Sequence, residues 1–236
     1  MRWVKALLFW GVVLVIQASL MGLSHWQWNR LAWKEHAMTQ RDMRWSSPVM
    51  IIDQALFSQS IPPDWHHVRV CGHVIPQRYA KVSYVAGLPK SAFSLVVPMR
   101  LDGGSLDNRN VFLDVGYFYF DEEMTLPIAD YPEKQCVTGH ILPAGRAMAW
   151  GMGGEGQGDV YSYFDIDTMA RRWSLDAVVP WVVRLDLPLP QSQPALKAYP
   201  NTPPELRNPH RGYALTWMAL AVIWPVMVWL RIRKGR

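Results

Sequence analysis

Two long apolar runs, one at each end of the chain, set the tightest limit on how it can fold. The first, Ala6 to Leu23, is interrupted only by Gln17 and Ser19; the second, Tyr213 to Leu230, holds no charge, and its one oddity is Pro225. At about 1.5 Å of rise per residue, a helix of roughly 18 residues crosses most of a hydrocarbon core about 30 Å thick. Membrane helices tolerate an internal proline better than soluble ones do. Tryptophan marks the run ends, with Trp3, Trp26 and Trp28 around the first and Trp217 and Trp229 near the ends of the second. That placement fits an interfacial aromatic belt. A cleaved signal peptide is the competing reading of the first run. Its length exceeds a usual signal core and no strong small-x-small site follows it, so an uncleaved anchor is expected.

Charge gives an orientation. Arg2 and Lys5 precede the first run, and Arg231, Arg233, Lys234 and Arg236 follow the second; those six cations face no acidic residue in either tail. The remaining 18 basic and all 19 acidic residues lie between the runs, so the net +5 of the chain resides in its tails. Basic tails stay cytoplasmic, although Arg30, Lys34, Arg41 and Arg44 close behind the first run weaken the signal for that helix alone. The expected organisation is a cytoplasmic tail 1–5, a transmembrane helix 6–23, an extracytoplasmic domain 24–212, a transmembrane helix 213–230 and a cytoplasmic tail 231–236. The basic balance is then a topology signal. It points to membrane lipids as neighbours and gives no reason to expect a nucleic acid.

Between the runs the pattern is mostly β. The helical spacing of Trp26, Arg30, Trp33 and Ala37 first carries one helix face past the bilayer surface, and Pro48 closes that region. Alternating or apolar stretches then predict strands at His67–Val74, Tyr79–Val85, Ser94–Leu101, Asn110–Phe120, Gln135–Leu142 and Trp181–Leu187. Turn residues separate them, at Gly87–Leu88–Pro89, Asp102–Gly103–Gly104 and Asp107–Asn108. Short turns between six strands predict an antiparallel, barrel-like sheet. A helix is expected near Asp165–Trp173, capped by Asp165 or Asp167. The fold class is thus a membrane protein with two transmembrane α-helices flanking an extracytoplasmic α+β domain. The proline-rich stretch Gln191–Pro209 reads as an extended connector back to the membrane.

Few motifs carry chemistry. Gly151–Met152–Gly153–Gly154–Glu155–Gly156 fits G-x-G-x-x-G, but the residues after it, Asp159–Phe164, read as extended or loop, so the helix N-terminus a pyrophosphate needs is lacking. It is read as a loop. His66–His67 reads as an exposed turn at a strand start, and Asp121–Glu122–Glu123 as a solvated one. Gly72–His73–Val74–Ile75–Pro76 matches Gly139–His140–Ile141–Leu142–Pro143, which is most simply two strands that end alike with a histidine towards solvent. A metal site shared by His73 and His140 is the weaker alternative. Cys71 and Cys136 are read as separate thiols in strands, with a disulfide as the alternative in an oxidising compartment. No residues assemble into an acid–base constellation, and no catalytic activity is expected.

The ends of the two apolar runs hold the remaining signal. His25–Trp26–Gln27–Trp28–Asn29–Arg30–Leu31–Ala32–Trp33–Lys34 leaves the first, with Trp26, Arg30 and Trp33 on one helical face. Asn208–Pro209–His210–Arg211–Gly212–Tyr213–Ala214–Leu215–Thr216–Trp217 enters the second. Taken alone, both read as an interfacial belt whose cations reach lipid phosphates. Together they resemble the terminal signatures of the surfeit-locus protein 1 family, the assembly factors of cytochrome oxidase. Trp26, Gln27, Arg30, Trp33 and Lys34 fit its W-Q-x-x-R-x-x-W-K pattern. Asn208, His210, Tyr213, Ala214, Thr216 and Trp217 fit its N-x-H-x-x-Y-A-x-T-W pattern. Weaker likenesses lie at His67–Gly72 and Tyr163–Ala170. Where the family usually has arginine–glycine–tryptophan, this chain has Val115–Gly116–Tyr117, a departure that fits a divergent branch serving a different terminal oxidase.

The resemblance implies a role in building the haem–copper oxidase and, in bacterial members, binding of haem a. By that likeness His210 is the iron (metal) ligand. Arg30 and Lys34 are candidates for the propionates, and Trp26, Trp33, Tyr213 and Trp217 for the ring wall, although helix packing explains the aromatics as well. His25 lies outside the family motif and is a candidate second axial ligand if the two helices pack together. The partners implied are the cytochrome oxidase catalytic subunit and haem A synthase. The alternative role is a haem-independent scaffold that stabilises an oxidase subunit. A short N-terminus without a transit peptide points to a bacterial inner membrane.

Overall fold

A computed structural model describes residues 2–52, 64–83, 91–122, 133–143, 159–189, 196–204 and 208–234. The chain divides into two compact units, residues 1–40 with 206–236, and residues 41–205. The glycine-rich motif 151–156, the turn 87–89, Glu123 and the start of the proline-rich connector lie outside the described residues.

The first unit is made by two helices. Helix α1 runs Arg2–Trp45 and α3 runs His210–Lys234. Both are long and apolar enough to cross a membrane. Each continues beyond its apolar run: α3 begins three residues before Tyr213, at His210, and the face through Trp26, Arg30 and Trp33 is helical as expected. Polar bonds join the two helices along an antiparallel seam. Trp224 Nε1 and Gln17 Nε2 donate to the Val13 and Ala221 carbonyls at 3.4 and 3.2 Å, and Ser24 Oγ donates to the Ala214 carbonyl at 3.1 Å. The least exposed residues of α1 (Val13, Gln17, Leu20, Ser24, Gln27, Leu31, Lys34) recur every three or four positions. So do those of α3, at His210, Ala214, Trp217, Ala221, Trp224 and Val228. This alternating spacing keeps one narrow stripe of each helix against its neighbour, and small Ala214 and Ala221 admit close approach.

The second unit is a barrel. Its strands are β1 (Met50–Ile51), β2 (His67–Val74), β3 (Ala80–Val82), β4 (Ala92–Leu101), β5 (Asn110–Tyr119), β6 (Gln135–Pro143), β7 (Val160–Tyr161) and β8 (Val178–Leu185). The order β1-β2-β6-β8-β5-β4-β3-β7, with β2 also paired to β4, closes β2, β6, β8, β5 and β4 into a ring. The ring removes the edges that an open sheet would expose. The sheet is mixed rather than antiparallel, because β1–β2, β3–β7 and β5–β8 run parallel. Short turns dictate antiparallel pairing only between sequence neighbours, as in the β4–β5 hairpin; β5 and β8 are joined by a long crossover that permits the parallel direction.

Alternation splits the strand residues between two cores. Val97, Leu113, Ile141 and Val183 enter one cluster with Val68, Val70 and Leu95. Their neighbours Val96, Phe112, Leu142 and Val182 enter a second one, covered by helix α2 (Ile166–Trp173) through Ile166, Met169 and Trp173. Asp165 caps α2, its Oδ1 accepting from the Thr168 N–H at 3.0 Å.

The paired Gly-His sequences have a steric meaning. A Cβ on Gly72 would stand 2.0 Å from the Arg100 carbonyl oxygen, and one on Gly139 2.2 Å from that of Arg184. The glycines are where β2 meets β4 and β6 meets β8 most closely, which bends strands into a barrel. The two histidines are not alike: His73 is exposed, whereas His140 is buried. The expected solvent-facing His140 and the His73–His140 pairing are both corrected. Cys71 and Cys136 stand directly opposite on β2 and β6 and form a disulfide, against the expectation of separate thiols. Strand registry, invisible in the sequence, is what brings them together.

Candidate functional site

His210, the first residue of α3, faces Gln27 of α1 with 2.7 Å between Nδ1 and Oε1. The amide oxygen only accepts, so Nδ1 carries the proton and Nε2 is left with the lone pair. His210 is half-buried and Gln27 is buried. Gln27 thereby fixes the orientation and tautomer of the His210 ring. Two residues upstream, Asn208 Oδ1 is buried without a hydrogen-bond partner among the described residues, an acceptor open to a donor.

Flanking residues fall into two groups. Trp26 (55% exposed), Trp33 (57%) and Tyr213 (52%) present large aromatic surfaces. The Arg30 guanidinium lies 4.1 Å over the Trp33 ring, a cation–π contact that holds its charge at the exposed flank. Lys34 and Trp217, in contrast, are half-buried on the interhelical stripe. His25 is exposed and bonded to Asn29 at 3.0 Å. It sits two residues, about 200° of helix, from Gln27, so the seam that presents His210 does not present His25. Gln27 is the residue that the sequence reading passed over as a site member. It was visible as a fixed position of the tryptophan–glutamine pattern, but its partner lies 183 positions away.

The barrel unit contains a second polar assembly. Asp114 is fully buried, and its carboxylate accepts from Arg184 Nε at 2.8 Å, Ser94 Oγ at 2.6 Å and the Tyr199 hydroxyl at 2.8 Å. Arg184 also stacks 3.9 Å over the Tyr199 ring. Burial, with the Asp114 charge beside it, pushes the Tyr199 hydroxyl well above the ordinary tyrosine range. Through Tyr199 the network clamps the returning segment 196–204. The same segment pairs Lys197 with Tyr117 in an isolated bridge. A Cβ at Gly116, whose φ is +145°, would meet the Lys197 carbonyl oxygen at 2.7 Å. The glycine of Val115–Gly116–Tyr117 is therefore demanded by close approach, whatever its neighbours. Of Asp121–Glu122–Glu123, read as a solvated turn, Glu122 is half-buried and pairs with Lys197.

The sequence profile of the SURF1 family matches residues 14–222. A SURF1-like protein of Rickettsia felis is 23% identical over 222 residues, covering 89% of this chain and 91% of the relative. One from Rickettsia bellii is 24% identical over 220 residues, covering 89% and 84%.

Proposed function

The chain belongs to the SURF1 family, and from that premise we propose that it is a membrane-anchored assembly factor of cytochrome oxidase that holds haem a through His210 and aids its delivery to the catalytic subunit. Oxidase assembly is what family membership implies; the haem, its ligand and the recipient are the reading offered here. The observation that carries it is the His210–Gln27 bond, which leaves an imidazole nitrogen available at the end of a helix pair.

In this reading α1 and α3 cross the bilayer, both tails are cytoplasmic, and the barrel unit lies outside. The exposed apolar side chains of the helices, from Leu7 and Leu8 to Val222 and Val226, suit lipid contact. Gln17 and Ser24, by spending their donors on α3 carbonyls, keep polar groups away from it. The Cys71–Cys136 disulfide suits an oxidising compartment such as the bacterial periplasm. Haem, if bound, would supply an iron centre for oxidase assembly, and His210 would hold it through its imidazole. The chain's own contribution is to bind and orient. Gln27 fixes the His210 tautomer, Arg30 offers a charge-assisted donor to a propionate, and Trp26, Trp33 and Tyr213 offer apolar faces. A single histidine from this chain suits the geometry better than His25 and His210 together. The protein would carry out no catalysis of its own, and haem A synthase is the natural donor.

The scaffold reading has one specific observation in its favour, since the Gln27–His210 bond also ties the helices together without any haem. Optical spectra of the detergent-purified chain, co-expressed with haem A synthesis, separate the two. A haem a spectrum present in the wild type and absent from His210→Ala supports the haem-carrying reading. Absence of haem from both, with oxidase assembly still dependent on the chain, overturns it in favour of the scaffold.

A further inference from the structure

A second cluster of metal-ligating side chains lies wholly within the barrel unit and has no part in the reading above. Registry sets His67, the first residue of β2, directly opposite His140 on β6, and β6 in turn pairs with β8, just beyond which lies Asp186. The reading of His67 as an exposed turn residue is thereby corrected. One donor atom from each of His67, His140 and Asp186 lies within 4.8 Å of the other two. His67 Nε2 is 2.8 Å from Asp186 Oδ2, and His140 Nδ1 is 3.3 Å from Asp186 Oδ1.

Contacts on both sides of its ring orient His140 in the cluster. Its Nε2 lies 3.1 Å from the Trp45 carbonyl oxygen, which only accepts, so Nε2 carries a hydrogen. In the neutral ring Nδ1 then directs a lone pair at a carboxylate oxygen. The ring thus turns one nitrogen toward the Asp186 carboxylate, and the three side chains bring two imidazole nitrogens and a carboxylate oxygen together. Here a second imidazole meets the same carboxylate, and the backbone carbonyl behind His140 is the outer-shell partner that orients a metal-bound histidine. We propose that His67, His140 and Asp186 form a site for a divalent cation of borderline softness, zinc or copper in class, held by two imidazoles and one carboxylate.

The surroundings fit an exchangeable ion. His140 is 3% exposed and stacked against Trp45, ring centroids 3.7 Å apart and the ring planes nearly parallel at 3°. His67 stacks on its other face at 4.4 Å and is half-exposed, as is Asp186. Stacked rings direct their in-plane lone pairs along separate planes, so one ion reaches both only when a ring turns. His67 has that freedom about its broad terminal torsion; His140 does not. A cavity of about 10 Å³ lined by Trp45, His140, Arg184, Asp186 and Tyr199 adjoins the cluster, with room for about one water as a further ligand. The Arg184 charge at that cavity is engaged by Asp114.

The test uses the full chain in detergent, stripped of metal with a chelator and titrated separately with Zn²⁺ and Cu²⁺, with calorimetry for both and electron paramagnetic resonance for Cu²⁺. One equivalent should bind, with nitrogen hyperfine structure on copper. His67→Ala and Asp186→Asn should each weaken binding tenfold or more, while His73→Ala, at an exposed histidine outside the cluster, leaves it unchanged. These half-exposed positions are chosen because His140→Ala risks the fold; near-ultraviolet circular dichroism checks that each variant retains it. The proposal is overturned by equal affinity in folded variants, by no binding in the micromolar range, or by nitrogen NMR showing both His140 nitrogens protonated at pH 7 with metal present. The outcome does not depend on whether the chain carries haem.

Discussion

Removing the Asp114 carboxylate should cost the barrel unit a large part of its stability. Asp114 is fully buried and Arg184 is 7% exposed, so Asp114→Ala leaves a nearly buried guanidinium without its counter-ion. Breaking a buried ion pair from one side costs about 3–5 kcal/mol. The Tyr199 hydroxyl, which loses its 2.8 Å bond to Asp114, adds about 1 kcal/mol. A loss of about 4–6 kcal/mol compares with a total of about 5–15 kcal/mol for a typical domain. The assay is urea unfolding of the purified chain in mild detergent, read by pulse proteolysis of the barrel unit. The diagnostic partner is Asp114→Leu with Arg184→Met, which removes both charges at similar volume and should recover most of the loss, because the pair's attraction barely repays its desolvation. A single variant that loses less than about 1 kcal/mol, or a double variant as unstable as the single, would refute the reasoning.

Other outcomes follow from the same structure. Tyr199 ionises in the unfolded chain near its ordinary pKa of about 10 but stays protonated when folded, so the contribution is complete below pH ~10 and is lost as pH rises toward the folded value. Tyr199→Phe should therefore flatten the alkaline fall in stability by up to about 1.4 kcal/mol per pH unit, measured by unfolding between pH 9 and 11. Replacing Cys71 and Cys136 by serine opens a loop of 65 residues' separation and should cost about 4 kcal/mol in the chain-entropy account, read as a lower urea midpoint than the oxidised chain. Gly116→Ala meets both the +145° φ and the Lys197 carbonyl, and should lose about 1–3 kcal/mol with faster proteolysis between residues 196 and 204. If His210 carries haem, Gln27→Leu should retain the pigment less well and shift its reduction potential, whereas Gln27→Glu should keep it; identical spectra and potentials in all three would rule out a positioning role.

The sequence by itself determined what depends on local pattern. Two apolar runs of bilayer length specified α1 and α3, and Asp165 ahead of an apolar i, i+3, i+7 face specified α2. Alternation located the six main strands to within a few residues, and the two terminal signatures identified the family. Two short strands, β1 and β7, escaped notice because two residues carry no period. Tertiary structure decided everything that depends on registry between distant segments. Cys71 and Cys136 are joined because β2 and β6 pair in one register; a shift of one residue would turn the two side chains to opposite faces. The same register converted His67 and His140 from apparent surface residues into neighbours around Asp186. Parallel β5–β8 pairing likewise set Asp114 against Arg184, although nothing in either strand announces a buried charge. At the helix ends, the motif named His210 and Gln27 separately, and antiparallel packing of α1 on α3 made them a bonded pair. Periodicity reports which face of an element is apolar; it contains no term for the partner that the face will meet.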